Sequence, residues 1–210
     1  MTASWFESPT LTGDRVRLEP LGVAHTDALL AAADDPAIFR WTASPITDRD
    51  QARKYIAAAT DDPNRIAFAQ VNIATNAVVG TTSMYQIDPV NRSLAIGYTW
   101  LSRSVQGTGI NPESKLLLLR HAFDQLEAVR VEWHTDEFNE QSRAAIAKLG
   151  AQFEGLLRKH RRRADGSWRT TALFAMTDDD WPPSRLSWRH VPETSHHLHS
   201  SAKSMPRFTS

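Results

Sequence analysis

The sequence contains no cysteine among its 210 residues. This absence excludes disulfide bridges, thiolate zinc sites and a cysteine nucleophile. Neither sign of charge is in excess, because 24 lysines and arginines balance 24 aspartates and glutamates. The protein therefore has no net positive field that would attract nucleic acid. The sequence further lacks an apolar run near the ~20 residues of a membrane span, and the paired basic and apolar segments of a signal peptide. We therefore expect a cytoplasmic protein that binds neither nucleic acid nor membranes.

Length and composition predict one globular domain followed by a polar tail. A chain of 210 residues, 41% hydrophobic and 23% charged, is typical of a single globular domain of roughly 150–200 residues. Beyond residue 182 the composition turns to serine, proline and histidine, so we expect a domain over residues 1–182 and a flexible tail over 183–210. The tail residues His196, His197 and His199 are weak evidence for a metal site, and no metal is predicted.

The most informative stretch is a glycine turn between a predicted strand and a predicted helix. Apolar residues alternate over 93–101, the period of a strand, and leucines recur at helical spacing after residue 115. Asn111 suits the N-cap and Pro112 the first helical position, so we expect the helix to begin just after Gly109. The strand period places four large residues on one face: Leu94, Ile96, Tyr98 and Trp100.

A glycine turn of this kind favours a phosphate-bearing ligand. Its unpaired N–H groups and the positive end of the helix dipole both attract an anion, although an ordinary strand-to-helix turn looks the same. Walker and Rossmann loops are excluded, because neither a Gly-Lys-Ser/Thr sequence nor a third small residue is present. Glu113 in the first helical turn would repel a diphosphate, so we expect it to face away. Lys115 and Arg103 could offset its charge.

The rest of the chain predicts an α+β fold with a mixed twisted sheet of about seven strands and about four helices. A proline after the first strand suggests that this strand lies near a sheet edge, and the strand-helix-strand order around the glycine turn implies a parallel crossover. Thr47 and Asp50 are expected to form a capping box, and Asn139 to cap a later helix. The predicted strands cover 15–19, 66–73, 78–86, 93–101, 130–136, 151–162 and 168–177, and the other helices 23–33, 47–60 and 139–150.

Four segments and the order of elements resemble the GNAT superfamily of acyltransferases. The turn over 104–109 matches the family's Gln/Arg-x-x-Gly-x-Gly/Ala loop at both glycines but not at its first position. The segments 96–100, 106–111, 139–142 and 148–155 look like those of the RimJ/RimL-like branch, and the resemblance extends over roughly residues 10–178. It implies the GNAT fold with αβα layers, and an N-acetyltransferase that uses acetyl-CoA.

The resemblance also implies how the cofactor would be held. Backbone N–H groups of the turn would bind the pyrophosphate, and pantetheine would enter a gap between diverging strands 93–101 and 130–136. Ser142 lies one helical turn after Asn139, where its hydroxyl could reach the CoA sulfur and stabilise or protonate a thiolate of pKa about 8.5, or could simply make a local cap. The implied cofactor-binding residues are Trp100, Leu101, Gln106, Gly107, Thr108, Gly109, Ile110, Asn111, Asn139 and Ser142, of which Ser142 is the catalytic candidate.

The general base is not identified by the sequence. Relatives often carry a glutamate before the Ile-Gly-Tyr segment, and Ala95 occupies that place here. His134, Glu132 and Asp88 are the nearest titratable candidates, and deprotonation through water stays open.

The acceptor is an amine of unknown identity, either a peptide N-terminus or a small molecule. Phe39 and Trp41 either anchor their loop or line the substrate pocket. The basic run 158–163 is expected to be a solvated strand end, with contact to an acidic partner or to cofactor phosphate as the alternative. The resemblance implies a homodimer. The alternative to an acetyltransferase is a protein of another class, a non-catalytic acyl-CoA-binding or regulatory module with the same fold.

Overall fold

The structure is a computed structural model that describes residues 4–42, 44–163 and 165–181. Eight strands and four α-helices follow the order predicted from the sequence. The strands are β1 (Leu11–Thr12), β2 (Val16–Pro20), β3 (Arg65–Asn72), β4 (Ala77–Asp88), β5 (Ser93–Leu101), β6 (Arg130–Asp136), β7 (Gln152–Arg162) and β8 (Trp168–Thr177), and the helices are α1 (Thr26–Ala32), α2 (Arg49–Thr60), α3 (Ile110–Arg120) and α4 (Glu140–Lys148).

All eight strands form one sheet in the order β1-β2-β3-β4-β5-β6-β8-β7. Only β5 and β6 pair in parallel, so the predicted mixed sheet and parallel crossover are confirmed. The sheet has one strand more than expected, because the two-residue strand β1 pairs outside β2. The strand β8 lies between β6 and β7, so the last hairpin turns back into the sheet and leaves β7 at the edge.

Helices cover both faces of the sheet and enclose two hydrophobic cores. The larger core lies between the sheet and α3 and α4, and includes the fully buried Leu94, Leu118 and Val131. The smaller core lies under α1 and α2 and includes Phe39 and Trp100. The two helical layers bury β3 and β4 along most of their length, including several polar side chains, and give the expected αβα layering.

A β-bulge in β5 reverses the side-chain alternation of that strand. Gly97 pairs with Ser83, whereas Trp100 pairs with Thr81, so β5 carries one extra residue at this point. Tyr98, within the bulge, has a φ of 49° and is 45% exposed. The prediction that Tyr98 and Trp100 share a face with Leu94 is therefore wrong, because the bulge turns Trp100 into the opposite core.

Two predicted helix caps are wrong by one or two residues. The N-cap of α2 is Asp48, whose carboxylate accepts a hydrogen bond from the Gln51 N–H at 2.8 Å, while Gln51 Oε1 accepts from the Thr47 N–H at 3.0 Å. The helix α3 begins after Gly109 as predicted, but Gly109 itself is the N-cap, at a φ of 84°. Asn111 is therefore already helical, because the left-handed glycine starts the helix two residues before the expected cap.

The tail predicted at 183–210, with its three histidines, lies outside the described residues. Within the part of the chain that the structure describes, no helix is long and apolar enough to cross a membrane.

Candidate active site

Two neighbouring strands separate at the centre of the sheet and open a gap. Parallel pairing of β5 with β6 ends at Ala95 and Glu132, although β5 continues to Leu101 and β6 to Asp136. The predicted divergence of these strands is therefore confirmed. The separation leaves the β6-facing side of the outer half of β5 without a strand partner, where an extended ligand could hydrogen-bond to the backbone.

The glycine turn lies at the open end of this gap. Gly107 and Gly109 adopt φ angles of 80° and 84°, and a Cβ on Gly107 would meet no atom within 4 Å. Among the described residues, the N–H groups of Gly107, Gly109, Ile110 and Asn111 find no acceptor. Four free N–H groups at the start of an 11-residue helix form a site suited to a phosphate group.

Other predicted cofactor residues shape this turn without using its free N–H groups. The Gln106 side chain donates to the Leu101 carbonyl at 3.2 Å, and the Thr108 hydroxyl donates to the Val105 carbonyl at 2.6 Å. The Asn111 side-chain oxygen is buried and has no hydrogen-bond partner within the described chain. These contacts hold the turn open, and the assignment of these residues to the cofactor stays a prediction.

The carboxylate of Glu113 holds the turn between β1 and β2. It accepts hydrogen bonds from the backbone N–H groups of Asp14, Arg15 and Val16, at 2.9, 2.7 and 2.8 Å. Its charge is thus stabilised by three donors and points at the β1–β2 turn, away from the glycine turn as expected. The same contact places Arg15 Cδ 3.6 Å from the position that a Cβ on Gly109 would take.

The expected role of Lys115 in offsetting Glu113 is wrong. Its side chain is buried beneath the sheet, where Nζ donates to Thr82 Oγ1 at 2.8 Å and to Thr99 Oγ1 at 2.5 Å. Burial without a carboxylate partner lowers the pKa of Lys115 to about 7. The helix therefore turns this residue towards β4 and β5, and not towards Glu113.

Replacement of Glu113 by alanine is expected to weaken both the fold and the turn. Three N–H groups would lose a charged acceptor, so the free energy of unfolding should fall by about 1–3 kcal/mol, since hydrogen bonds to charged groups are worth ~1.5–3 kcal/mol each before water replaces them. Urea unfolding measures this change. The exposed Glu140, in the first turn of α4, provides a matched control. An equal loss for Glu140→Ala would show that only the helix dipole is involved.

Ser142 and Asn139 lie at the start of α4, on the β6 side of the gap. The Asn139 side chain accepts a hydrogen bond from the Ser142 N–H at 3.0 Å, which confirms Asn139 as the cap. The Ser142 hydroxyl makes no hydrogen bond to any described residue and is half-buried. Because the cap uses the Ser142 backbone and not its hydroxyl, the side chain is available to a ligand in the gap.

A chain of three hydrogen-bonded side chains crosses the gap on the face of α1 and α2. The Tyr85 hydroxyl lies 2.8 Å from His134 Nδ1, and His134 Nε2 lies 3.3 Å from a Glu132 carboxylate oxygen. Gly97 permits this crossing, because a Cβ there would lie 2.8 Å from the Tyr85 ring. Sequence reasoning considered His134 and Glu132 but missed Tyr85. A glycine within an otherwise large-residue strand was the only signal for it.

The electrostatics of this chain are set by burial and by Arg130. Hydrogen bonds from His134 and from Arg130, the latter at 2.7 Å, lower the pKa of Glu132 to about 2, against the opposing effect of burial. Burial raises the pKa of the Tyr85 hydroxyl. Glu132 is therefore ionised and Tyr85 is neutral across the physiological range.

An open cavity of about 580 Å³ lies beside the three hydrogen-bonded side chains, next to Tyr85. Tyr85 and Tyr98 form part of its wall together with Asp62, Asp88 and Arg161. Asp88 holds the β4–β5 turn through Asn91, which lowers its pKa. The cavity is thus lined by aromatic rings and by charges of both signs, and it is large enough for an amine and a few neighbouring groups.

The two aromatic residues predicted for the acceptor pocket occupy different environments. Phe39 is buried, with its ring centroid 5.2 Å from that of Trp100, and Trp41 is 38% exposed beneath Arg40. Neither lines the cavity beside Tyr85. Their role in binding an acceptor stays a prediction.

The side chains of the basic run 158–163 occupy different environments. Arg163 forms an ion pair with the buried Asp136 at 2.8 Å, and Arg162 stacks on the exposed Trp168. Arg161 lines the cavity, and residues 158–162 of the run lie on β7 as expected, with Arg163 directly after the strand. Over residues 4–42, 44–163 and 165–181, no group of three or more potential metal ligands is present.

Comparison with known proteins places these features in a family context. Residues 15–152 match the acetyltransferase (GNAT) domain. A segment of 79 residues is 37% identical to a protein of Bacillus subtilis (strain 168) named as a ribosomal N-acetyltransferase, YdaF, and covers 38% of this chain and 43% of that protein. The match thus spans less than half the length of this curated relative.

The fold is similar to those of two solved acetyltransferases. A GCN5-related N-acetyltransferase from Brucella melitensis shares a TM-score of 0.83 and 30% identity, over 87% of this chain and 85% of that one. Mycobacterium smegmatis RimJ in complex with CoA-disulfide shares a TM-score of 0.74 and 22% identity, over 87% and 95% of the two chains. At 22% identity the second likeness bears on the fold alone.

Proposed function

This chain belongs to the GNAT acetyltransferase family. From that membership we propose that it is a RimJ/RimL-like enzyme, which transfers the acetyl group of acetyl-CoA to a primary amine. The observation that carries the proposal is the gap between β5 and β6 with four free N–H groups at its open end. This arrangement would hold a diphosphate at one end and direct an attached thioester towards the point where the strands meet.

The residues around the turn fit the CoA diphosphate. Gly107 leaves open space, the free N–H groups supply donors, and the charge of Glu113 is stabilised by its own three partners. The unpaired edge of β5 near Trp100 and Leu101 would accept the pantetheine amides. Asn139 and Ser142 would contact the arm from α4. When bound, acetyl-CoA supplies an activated acetyl group, and the chain supplies position and hydrogen-bond donors.

Direct attack of the amine on the thioester needs stabilisation of the departing sulfur. A thiol is far more acidic than an amine N–H or an alcohol, with a pKa near 8.5 for the cysteine side chain, so a thiolate is a good leaving group that gains only moderately from a hydroxyl donor. The Ser142 hydroxyl lies in the first turn of α4 and makes no hydrogen bond to a described residue, so it would donate to this sulfur. The positive end of the α4 dipole acts in the same direction.

Replacement of Ser142 by alanine is expected to lower kcat about 10- to 100-fold, which is no more than the smallest typical contribution of a general acid, because a thiolate needs little help to depart. The KM for acetyl-CoA should change little. Steady-state release of CoA, followed with a thiol reagent, measures both constants. Ser142→Thr keeps a hydroxyl and should recover most of the rate. Equal losses in both variants would show that packing around Ser142, and not its hydroxyl, matters.

The acceptor is proposed to be the N-terminal amine of a protein. Support comes from the ribosomal N-acetyltransferase name of the Bacillus subtilis relative and from the open cavity beside Tyr85. An α-amine has a pKa near 8, so it needs only modest help to lose its proton. The homodimer and the cytoplasmic location stay predictions, and sedimentation velocity tests the first of them.

Binding and turnover can be tested separately. Isothermal titration with acetyl-CoA should show one site per chain. Thiol release across a panel of N-terminal peptides and small amines should then exceed the rate without enzyme. Tight binding without turnover on any acceptor would favour the non-catalytic module, and absence of binding would overturn the proposal. Binding to nucleic acid with a steep salt dependence would point to the basic run instead, and none is expected.

A further inference from the structure

We propose that Tyr85, His134 and Glu132 form a proton relay that takes the proton of the acceptor amine during acetyl transfer. The relay rests on the proposed function and identifies the base that the sequence left open. The relay meets the substrate cavity at Tyr85, because Tyr85 lines that cavity and its hydroxyl contacts His134.

The relay lies beside Ala95, the last residue of β5 that pairs with β6. Ala95 pairs with Tyr85 on β4 and with Glu132 on β6, so the three residues lie side by side across the sheet. A methyl group at position 95 leaves room above β5, and Gly97 leaves room for the Tyr85 ring. Glu132 therefore lies one strand away from the position where relatives often carry a glutamate.

The hydrogen bonds fix the direction in which a proton can move. One oxygen of Glu132 accepts from Arg130 Nε at 2.7 Å, and the other faces His134 Nε2. An ionised carboxylate accepts a hydrogen bond and donates none, so Nε2 carries the proton and Nδ1 is the acceptor. Nδ1 then accepts from the Tyr85 hydroxyl, whose oxygen keeps lone pairs for a proton from the cavity. Burial, which disfavours the Tyr85 anion, requires the two transfers at Tyr85 to be concerted.

The reaction balances as follows. The acceptor ammonium gives one proton to the Tyr85 oxygen while the Tyr85 proton passes to His134 Nδ1, and the imidazolium is paired with Glu132. The neutral amine forms the N–C bond, the C–S bond breaks with its electron pair on sulfur, and the proton lost by nitrogen in the amide ends on the thiol through Ser142 or water. The imidazolium finally returns its proton to solvent.

Charged side chains surround the relay. The pH dependence of proton transfer through the relay therefore depends on these neighbours as well as on the three relay residues. Arg130 acts on Glu132 from the same strand, β6. The titratable and charged side chains that act on Tyr85, His134 or Glu132 from neighbouring strands are Tyr98, Glu154, His160, Arg161 and Arg169. The rings of His134 and His160 lie 5.7 Å apart, and burial lowers the pKa of His160, so a second positive charge there is disfavoured.

Tyr85→Phe removes one hydroxyl and keeps the ring, so it separates proton transfer from packing. With a basic amine at pH 7, kcat/KM for the acceptor should fall about 100-fold, the contribution of a general base, while the dissociation constant of acetyl-CoA stays the same. With an amine that is already neutral at pH 7, or at a pH above the amine pKa, the loss should shrink towards twofold. His134→Gln should show the same pattern.

Tyr55→Phe is the matched control, because it removes a hydroxyl hydrogen-bonded to Thr81 at 2.7 Å and outside the relay. A loss for Tyr85→Phe that is equal for all amines and at all pH values would overturn the relay and leave the acetyltransferase intact. Absence of turnover by the native protein would overturn the proposed function and the relay with it. In the free protein, nitrogen-15 NMR of His134 should show the proton on Nε2, and the Nδ1–H form would contradict the relay.

Discussion

Gly107→Trp is expected to abolish measurable binding of acetyl-CoA while the protein stays folded. A Cβ at Gly107 meets no protein atom within 4 Å, so the indole has space, and that space is where the diphosphate would lie. Loss of two charge-assisted hydrogen bonds of ~1.5–3 kcal/mol each corresponds to a dissociation constant at least about 100-fold weaker. Isothermal titration with acetyl-CoA and with CoA measures the change.

The control for this variant is Gly166→Trp. Gly166 lies in the turn between β7 and β8, has a φ of 83° and likewise meets no atom within 4 Å of a Cβ. Both substitutions therefore carry the same backbone strain, about 1–2 kcal/mol for a left-handed residue, and add the same bulk. Equal affinity of native protein and Gly107→Trp would show that the turn does not hold the diphosphate, and the functional proposal would fail with it.

Lys115→Met is expected to change how stability depends on pH. The pKa of Lys115 falls from 10.5 to about 7 on burial, so between these values the unfolded chain binds a proton that the folded protein does not. The stability of the native protein should therefore rise as pH rises from 7 to 10.5 and be insensitive to this group below pH 7. The size of this effect is on the order of 3–5 kcal/mol, since one pKa unit corresponds to ~1.4 kcal/mol.

The methionine variant should lack this dependence and be more stable at pH 7 by about 1–3 kcal/mol, as found when buried charges are replaced by apolar side chains. Thr82 and Thr99 would not be left unpaired, because their hydroxyls already lie 2.9 Å apart. Urea unfolding at pH 7 and pH 10 gives both values, with the exposed Lys148→Met as the control. A native protein whose stability varies with pH in parallel with Lys115→Met would contradict a neutral buried amine.

The donor half of the site was largely predictable, because its parts are consecutive in the chain. Gly107 and Gly109 give the turn its left-handed backbone, and the helix follows within one residue. The cap of α4 by Asn139 is equally local. Such features depend on backbone preferences and hydrogen bonds over a few residues, which a sequence displays directly.

The acceptor half was not predictable in the same way. Tyr85 and His134 are 49 residues apart and meet only because β5 lies between their strands and has a glycine where the ring crosses. The bulge at Tyr98 is a second example, since one extra residue moved Trp100 to the other core against the strand period. Register between strands depends on contacts along the whole sheet, and no local period reports it.

The amino-acid sequence alone determined the order and type of the elements, the glycine turn with its helix, and the family resemblance. Each of these follows from short-range periodicity and turn chemistry. Only the tertiary structure decided that β8, and not β7, pairs with β6, and that Lys115 is buried under the sheet. It alone also brought Tyr85 into hydrogen-bond contact with His134, and so into line with Glu132. These outcomes depend on which distant strands become neighbours, and that choice is made by burial of the whole sheet between two helical layers.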